Sequence, residues 1–203
     1  MIIDPSIRNS LAAAFVAALL AAVASQPARS EPATYKLDPE HLSVGFLVHH
    51  IGYAKVLGTF RNASGSYVFD EKIGRLSDVK IVVDTASVFT NHKKRDDHLR
   101  SADFLNSSEF PQMVFTAADA KRTGERTFAI EGKLDLLGKS KPLVLEATWN
   151  KSGDYPIPPK GYAMGVSARG SFKRSAHGMM YAVDNGWVGD QVELIIEFEA
   201  RRQ

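Results

Sequence analysis

The chain has 203 residues, with 25 Lys and Arg against 23 Asp and Glu, a formal net charge of +2, and no cysteine. Thiol catalysis, zinc–thiolate sites, thiolate-held iron–sulfur clusters and a disulfide framework are thereby excluded. The near balance of charge, with no basic stripe carrying interleaved aromatics, gives no electrostatic case for nucleic acid.

The first 24 residues read as an export signal. Arg8 precedes an apolar run from Leu11 to Val23, and Ala22-Val23-Ala24 is a small-x-small cleavage site, so the cut is expected after Ala24. The run is shorter than the roughly 20 residues a membrane span needs, and retention as an uncleaved anchor is the alternative. Residues 25–203 are then expected to form a single domain in the periplasm, held by an ordinary hydrophobic core.

From there most of the chain alternates with period two, the mark of half-buried strands. "SVGFLVHHI" puts Val44, Phe46, Val48 and His50 on one face; "KVLGTF" adds Val56, Gly58 and Phe60. "GSYVFD" carries Phe69, and "DVKIVVDTASV" sets Val79, Ile81 and Val83 against Lys80, Val82 and Asp84. The alternation stops between Asn91 and Leu105, where charges and helix formers suggest a short helix. Thr90 or Asn91 is its expected N-cap and Asp96–Arg100 an i,i+4 ion pair. Strands resume with "QMVFTAADAKR" (Phe115), "RTFAIEGKLDLLG" (Phe128), "KPLVLEATWN" (Trp149), "YAMGVSARGSFKR" and "QVELIIEFEAR". Between the third and fourth of these, "SGDYPIPPKGY" has three prolines and two glycines, and reads as an irregular flap at a barrel mouth.

Eight or nine short strands joined like hairpins, with no alternating helices, favour an all-β antiparallel barrel or sandwich. The barrel is preferred because closure removes exposed edges. An eight-stranded barrel has room for one small ligand. The inward set is then Val44, Phe46, Val48, His50, Phe60, Phe69, Val83, Phe115, Phe128 and Trp149. Alternation cannot distinguish a dry core from the lining of a channel. His50 is either a hydrogen-bonded plug at one end of the core or a polar contact at a channel end.

Catalytic signals are sparse. His92 and Asp96 share a helix face while His98 points elsewhere, and His49 and His50, adjacent on a strand, face opposite sides. There is no H-E-x-x-H, H-x-H or repeated acidic loop, and no G-x-S-x-G elbow. Neither metal nor cofactor is therefore expected. Asp96 and Asp97, consecutive on a helix, make a poor acid–base pair.

Ordered segments across almost the whole mature chain resemble a known family. These are "LDPEHLSVGFLVHHIGYAKVLGTF", "VDTASVFTNHKKRDDHLRSADFLNSSEFPQMVF", "GKLDLLGKSKPL" and "VGDQVELIIEFEA". They are similar to the YceI-like proteins, lipocalin-like periplasmic barrels that bind polyisoprenoids or other long-chain amphiphiles. The resemblance implies about eight strands, a short helical insertion at about 91–105, and an elongated apolar channel lined by the inward set above. Arg95 and His98 fall on the helical signature, as polar mouth contacts or helix anchors. Two stretches depart from the family's pattern: Arg174-Ser175-Ala176-His177-Gly178-Met179 where R-S-D-F-G-M is common, and Leu134-Asp135-Leu136-Leu137-Gly138 where L-T-L-H-G is common.

The expectation is a non-enzymatic carrier of a long-chain lipid, such as a polyprenyl chain or isoprenoid quinone. Membrane contact would be transient at most, and a homodimer is left open. Two alternatives stand beside it: a structural or stress-response module with a packed core, and an enzyme acting on bound lipid through His50, His98 or Asp96.

Overall fold

The computed structural model describes residues 31–203. The expected export signal at 1–24 and its cleavage point lie outside the described residues. Eleven strands follow in order: β1 (Ala33–His50), β2 (Ala54–Phe60), β3 (Ala63–Asp70), β4 (Arg75–Asp84), β5 (Val88–Phe89), β6 (Gln112–Asp119), β7 (Lys121–Arg122), β8 (Thr127–Leu136), β9 (Lys139–Asp154), β10 (Tyr162–Lys173) and β11 (Val188–Arg202). One α-helix, α1 (Lys93–Arg100), interrupts them.

All pairings are antiparallel, and β11 returns to pair with β1, closing an eight-stranded barrel. The two short strands β5 and β7 and the split of one wall between β2 and β3 account for the larger strand count. β1 is long enough to serve both halves of that wall, its start pairing with β3 and its end with β2. The change of partner follows a bulge: Leu37 faces Ala200 and Leu42 faces Phe198, so Asp38–His41 crowd opposite Glu199.

The core follows from alternation. Along β8, Phe128, Ile130, Leu134 and Leu136 are buried, while Glu131, Lys133 and Asp135 face out. Two glycines make room for inward rings. A Cβ at Gly58 would overlap the Phe46 ring, and one at Gly132 would overlap Phe115, so both rings lie directly over bare backbone. Beyond Thr59 and Phe60, β2 has no partner on its outer side, leaving the edge from Ala54 to Gly58 unpaired close to α1.

Three expectations need correction. The helix spans eight residues rather than 91–105, and Ser101–Glu109 continues as turns. Its N-cap is His92, whose Nδ1 accepts from the Arg95 N–H at 3.3 Å, because Asn91 is turned into the left-handed region at φ 59°. The proline-rich segment is irregular only from Tyr155 to Gly161, since β9 runs on to Asp154.

Candidate functional site

At the end of the barrel bearing α1, the interior opens into a cavity of about 440 Å³. That size is within the range of small-molecule sites. Phe46, Val48, Val56 and Phe60 line one wall, Met113, Leu136 and Phe172 another, and Val192 and Leu194 a third. Leu99, Phe104 and Leu105, from the helix and the turns after it, form part of the cover. Val48, Leu99 and Leu194 are only half-buried although they point inward, because the cavity they face reaches solvent.

The charged and imidazole groups lining this cavity are His49, His50, Lys94, Arg95, His98 and Arg174; no carboxylate is among them. Both adjacent histidines, at the end of β1, border the opening. His50 is exposed at the rim rather than plugging the core.

The helix is fastened from below by polar contacts. Asp96 is buried and accepts from both the backbone N–H and the hydroxyl of Thr90. Arg95 donates through Nε to the Thr90 hydroxyl at 2.7 Å and through Nη2 to the Thr90 carbonyl at 2.8 Å. The expected Asp96–Arg100 pair is therefore replaced: Arg100 meets Asp97 at 2.7 Å, and Lys93 meets the same carboxylate at 2.6 Å. The two cations hold the Asp97 carboxyl below its ordinary range. His98 bonds Asp103 through Nε2 at 2.8 Å and sits edge-on to the rings of Phe104 and Tyr181. Phe104 and Leu105, at 7% and 6% exposure, pin the segment to the barrel.

The opposite side of the opening depends on Arg174, which sequence reasoning did not single out. Arg174 is 1% exposed and donates to four backbone carbonyls, those of Met179, Tyr181, Val188 and Gly189, at 2.8–2.9 Å. One side chain thus ties the loop Gly178–Trp187 to the start of β11. Burial draws its pKa down, while Asp190 opposes that shift. Next to it His177, where the family commonly has Phe, is also buried; it reaches the Lys139 carbonyl through Nδ1 at 3.0 Å and packs edge-on to Phe172. Burial lowers its pKa and keeps the imidazole neutral. A buried arginine at a strand end has no signature in alternation; its place in the family motif was the available signal.

A second, wholly apolar cavity of about 70 Å³ occupies the other half of the barrel. Phe69, Phe115, Phe128 and Trp149 line it, whereas Phe46, Val48, His50 and Phe60 border the large one. Val44 and Val83 border neither. Val44 is packed between Leu42, at the lower cavity, and Phe46, at the upper. At that far end Glu71 gathers the hydroxyls of Tyr35, Ser152 and Tyr162 at 2.5–2.9 Å. Burial, with the Glu71 carboxylate beside it, pushes the Tyr35 phenol well above its ordinary range. The proline-rich loop belongs to this end, not to the mouth beside α1.

The bulge in β1 brings Asp38, His41 and Glu199 within reach of one another, a cluster that sequence spacing does not show. Arg201 meets Asp38 at 3.2 Å and supplies the neutralising charge that a metal ion would bring.

A closed eight-stranded antiparallel barrel, with one helix and an apolar cavity open at one end, is a lipocalin-like barrel. Its sequence assigns it further. A family model for the YceI-like domain matches residues 35–200, and the chain belongs to that family. Protein YceI from Salmonella arizonae and that from Salmonella enteritidis PT4 are each 40% identical over 173 residues, covering 84% of this chain and 88% of theirs. Among solved structures, the YCEI protein of Campylobacter jejuni is 26% identical with a TM-score of 0.64, covering 76% of this chain and 90% of its own. BcnA of Burkholderia cenocepacia shares the fold at a TM-score of 0.71 and 19% identity, covering 80% of this chain and 98% of its own. A polyisoprenoid binding domain from Saccharophagus degradans does so at 0.64 and 12%, covering 85% and 100%.

Proposed function

We propose that the protein binds the tail of a long-chain amphiphile, of the polyisoprenoid or isoprenoid quinone kind, and sequesters or ferries it in the periplasm without chemical change. The observation that carries this reading is the cavity of about 440 Å³, apolar along its walls and polar only at its rim. Membership of the YceI-like family and the likeness to a polyisoprenoid binding domain support it. A tail of about a dozen methylenes gives about 10 kcal/mol gross at roughly 0.8 kcal/mol each, against an association cost of about 4–15 kcal/mol. Tail length, rather than a particular polar contact, then dominates affinity, while the rim imidazoles and Lys94 orient the head.

The groups that an enzyme would need are engaged separately. Asp96 holds Thr90, His98 holds Asp103, and His50 stands on another wall. Protein purified from its native host, extracted with organic solvent and examined by mass spectrometry, is expected to yield a long-chain amphiphile. An empty extract together with no saturable uptake of a fluorescent farnesyl derivative would overturn the proposal.

A further inference from the structure

Nine large apolar side chains are exposed among the described residues, and six of them belong to the segments that form the opening beside α1. Ile51, Tyr181 and Trp187 border the cavity directly, Met180 lies between two lining residues, Tyr53 is in the β1–β2 turn two residues past Ile51, and Leu57 is on the outer face of β2 next to Val56. The other three, Ile73, Val144 and Ile157, are scattered in a far-end turn, on the outer wall and in the proline-rich loop. Tyr53 is 91% exposed, Trp187 60% and Leu57 58%, a concentration that folding alone does not require.

The rim is also continuous. The Ile51 N–H donates to the Trp187 carbonyl at 2.8 Å, joining the β1–β2 turn to the loop Gly178–Trp187. Tyr181 of that loop meets His98 of α1 with ring centroids 4.8 Å apart. The helix brings four cations, Lys93, Lys94, Arg95 and Arg100, against two carboxylates, of which Asp96 is buried and Asp97 is paired. Lys94 forms no ion pair among the described residues, and His49 and His50 stand beside it at the opening. Asp184 is the acidic side chain on the loop's side.

Exposed Trp and Tyr around an apolar opening, with cations alongside, are complementary to the headgroup boundary of a bilayer bearing negative charge. A second copy of the chain fits less well, because a two-fold contact through this rim would set the basic helix against its own equivalent. We propose that Tyr53, Leu57, Trp187 and the basic face of α1 dock on a bilayer containing anionic phospholipid, with the cavity mouth facing the acyl chains. The proposal rests on the lipid-binding reading and adds a loading route to it: the tail passes between bilayer and barrel without crossing water.

Trp149 and Trp187 are the only tryptophans in the chain, and only Trp187 is on the rim. Vesicles of phosphatidylethanolamine and brominated phosphatidylglycerol, mixed with the full chain, are expected to quench its fluorescence, and Trp187→Phe to remove most of that quenching. A Tyr53→Ser/Leu57→Ser variant is expected to weaken vesicle affinity about tenfold while taking up the soluble farnesyl probe like the parent, since neither residue lines the cavity. Lys94→Gln is expected to weaken it about fivefold, on anionic vesicles only. The apolar N-terminal segment is common to all variants and cancels in these ratios. Absence of Trp187 quenching, or vesicle affinity unchanged by the double variant, would overturn the docking. So would a dimer that the double variant dissociates at constant vesicle affinity. Docking without uptake of the soluble probe would sink the lipid-binding reading and leave the membrane contact standing.

Discussion

Filling the large cavity with protein tests whether its volume is ligand space. Val48 faces it from β1, with Val56 and Val192 on the neighbouring strands. In Val48→Trp an indole occupies room that about three methylenes of tail would take, a loss of about 2.4 kcal/mol at roughly 0.8 kcal/mol each. That is about 50-fold in Kd. The fold should tolerate the change, because the added atoms enter a cavity of about 440 Å³ rather than a packed core. Overpacking a filled core would instead cost about 1–3 kcal/mol, or about 2–12 °C in Tm for a domain of this size. Titration of the variant with the fluorescent farnesyl derivative, beside a thermal melt, gives both numbers. A Tm lowered by about 5 °C or more with unchanged probe affinity would refute the reasoning and favour the packed module.

Arg174→Met strands four buried carbonyls and is expected to cost about 3–5 kcal/mol, lowering Tm by about 6–20 °C; Arg174→Lys should recover little, since an ammonium cannot span that fork. His177 is held neutral by burial, so below its ordinary value of 6.5 the unfolded chain takes up a proton that the folded chain refuses. Stability measured by denaturant titration should therefore fall as pH drops from about 7 to about 5, and His177→Phe should flatten that slope. At the far end the sign is opposite. The Tyr35 phenol is raised above 10.0, so the unfolded chain ionises first and stability should be lost as pH climbs past about 10. Glu71→Gln, which removes the carboxylate beside it, should shift the rise in tyrosinate absorbance to lower pH.

Much of the barrel is readable from period-two alternation because a closed sheet has one inside, and each strand must present its apolar residues to it. Phe46, Phe60, Phe69, Phe115, Phe128 and Trp149 all fall inside for that reason. The reading fails where the ladder is irregular. The bulge after Leu37 assembles Asp38, His41 and Glu199, which no spacing in the sequence shows. It fails again where a charge is buried. Spacing assigns Asp96 to Arg100, but Asp96 turns inward to accept from the buried backbone N–H of Thr90 before α1, and Asp97 is left for the cations.

Whether the inside is full or open is the deeper gap, since the same phenylalanines serve both states. Two features decide it, and neither is a periodicity. Gly58 lets the Phe46 ring lie over bare backbone at the wall of the large cavity. Arg174 holds a ten-residue loop, Gly178–Trp187, at the lip through the carbonyls of Met179 and Tyr181. The absence of any carboxylate from the cavity lining is likewise a property of the assembled walls. It brings together α1, the β1–β2 turn and the Gly178–Trp187 loop, which no local window of sequence spans. A rim that is apolar and cationic at once leaves Lys94 without a counter-charge among the described residues, and that unbalanced charge is what an anionic lipid surface would complete.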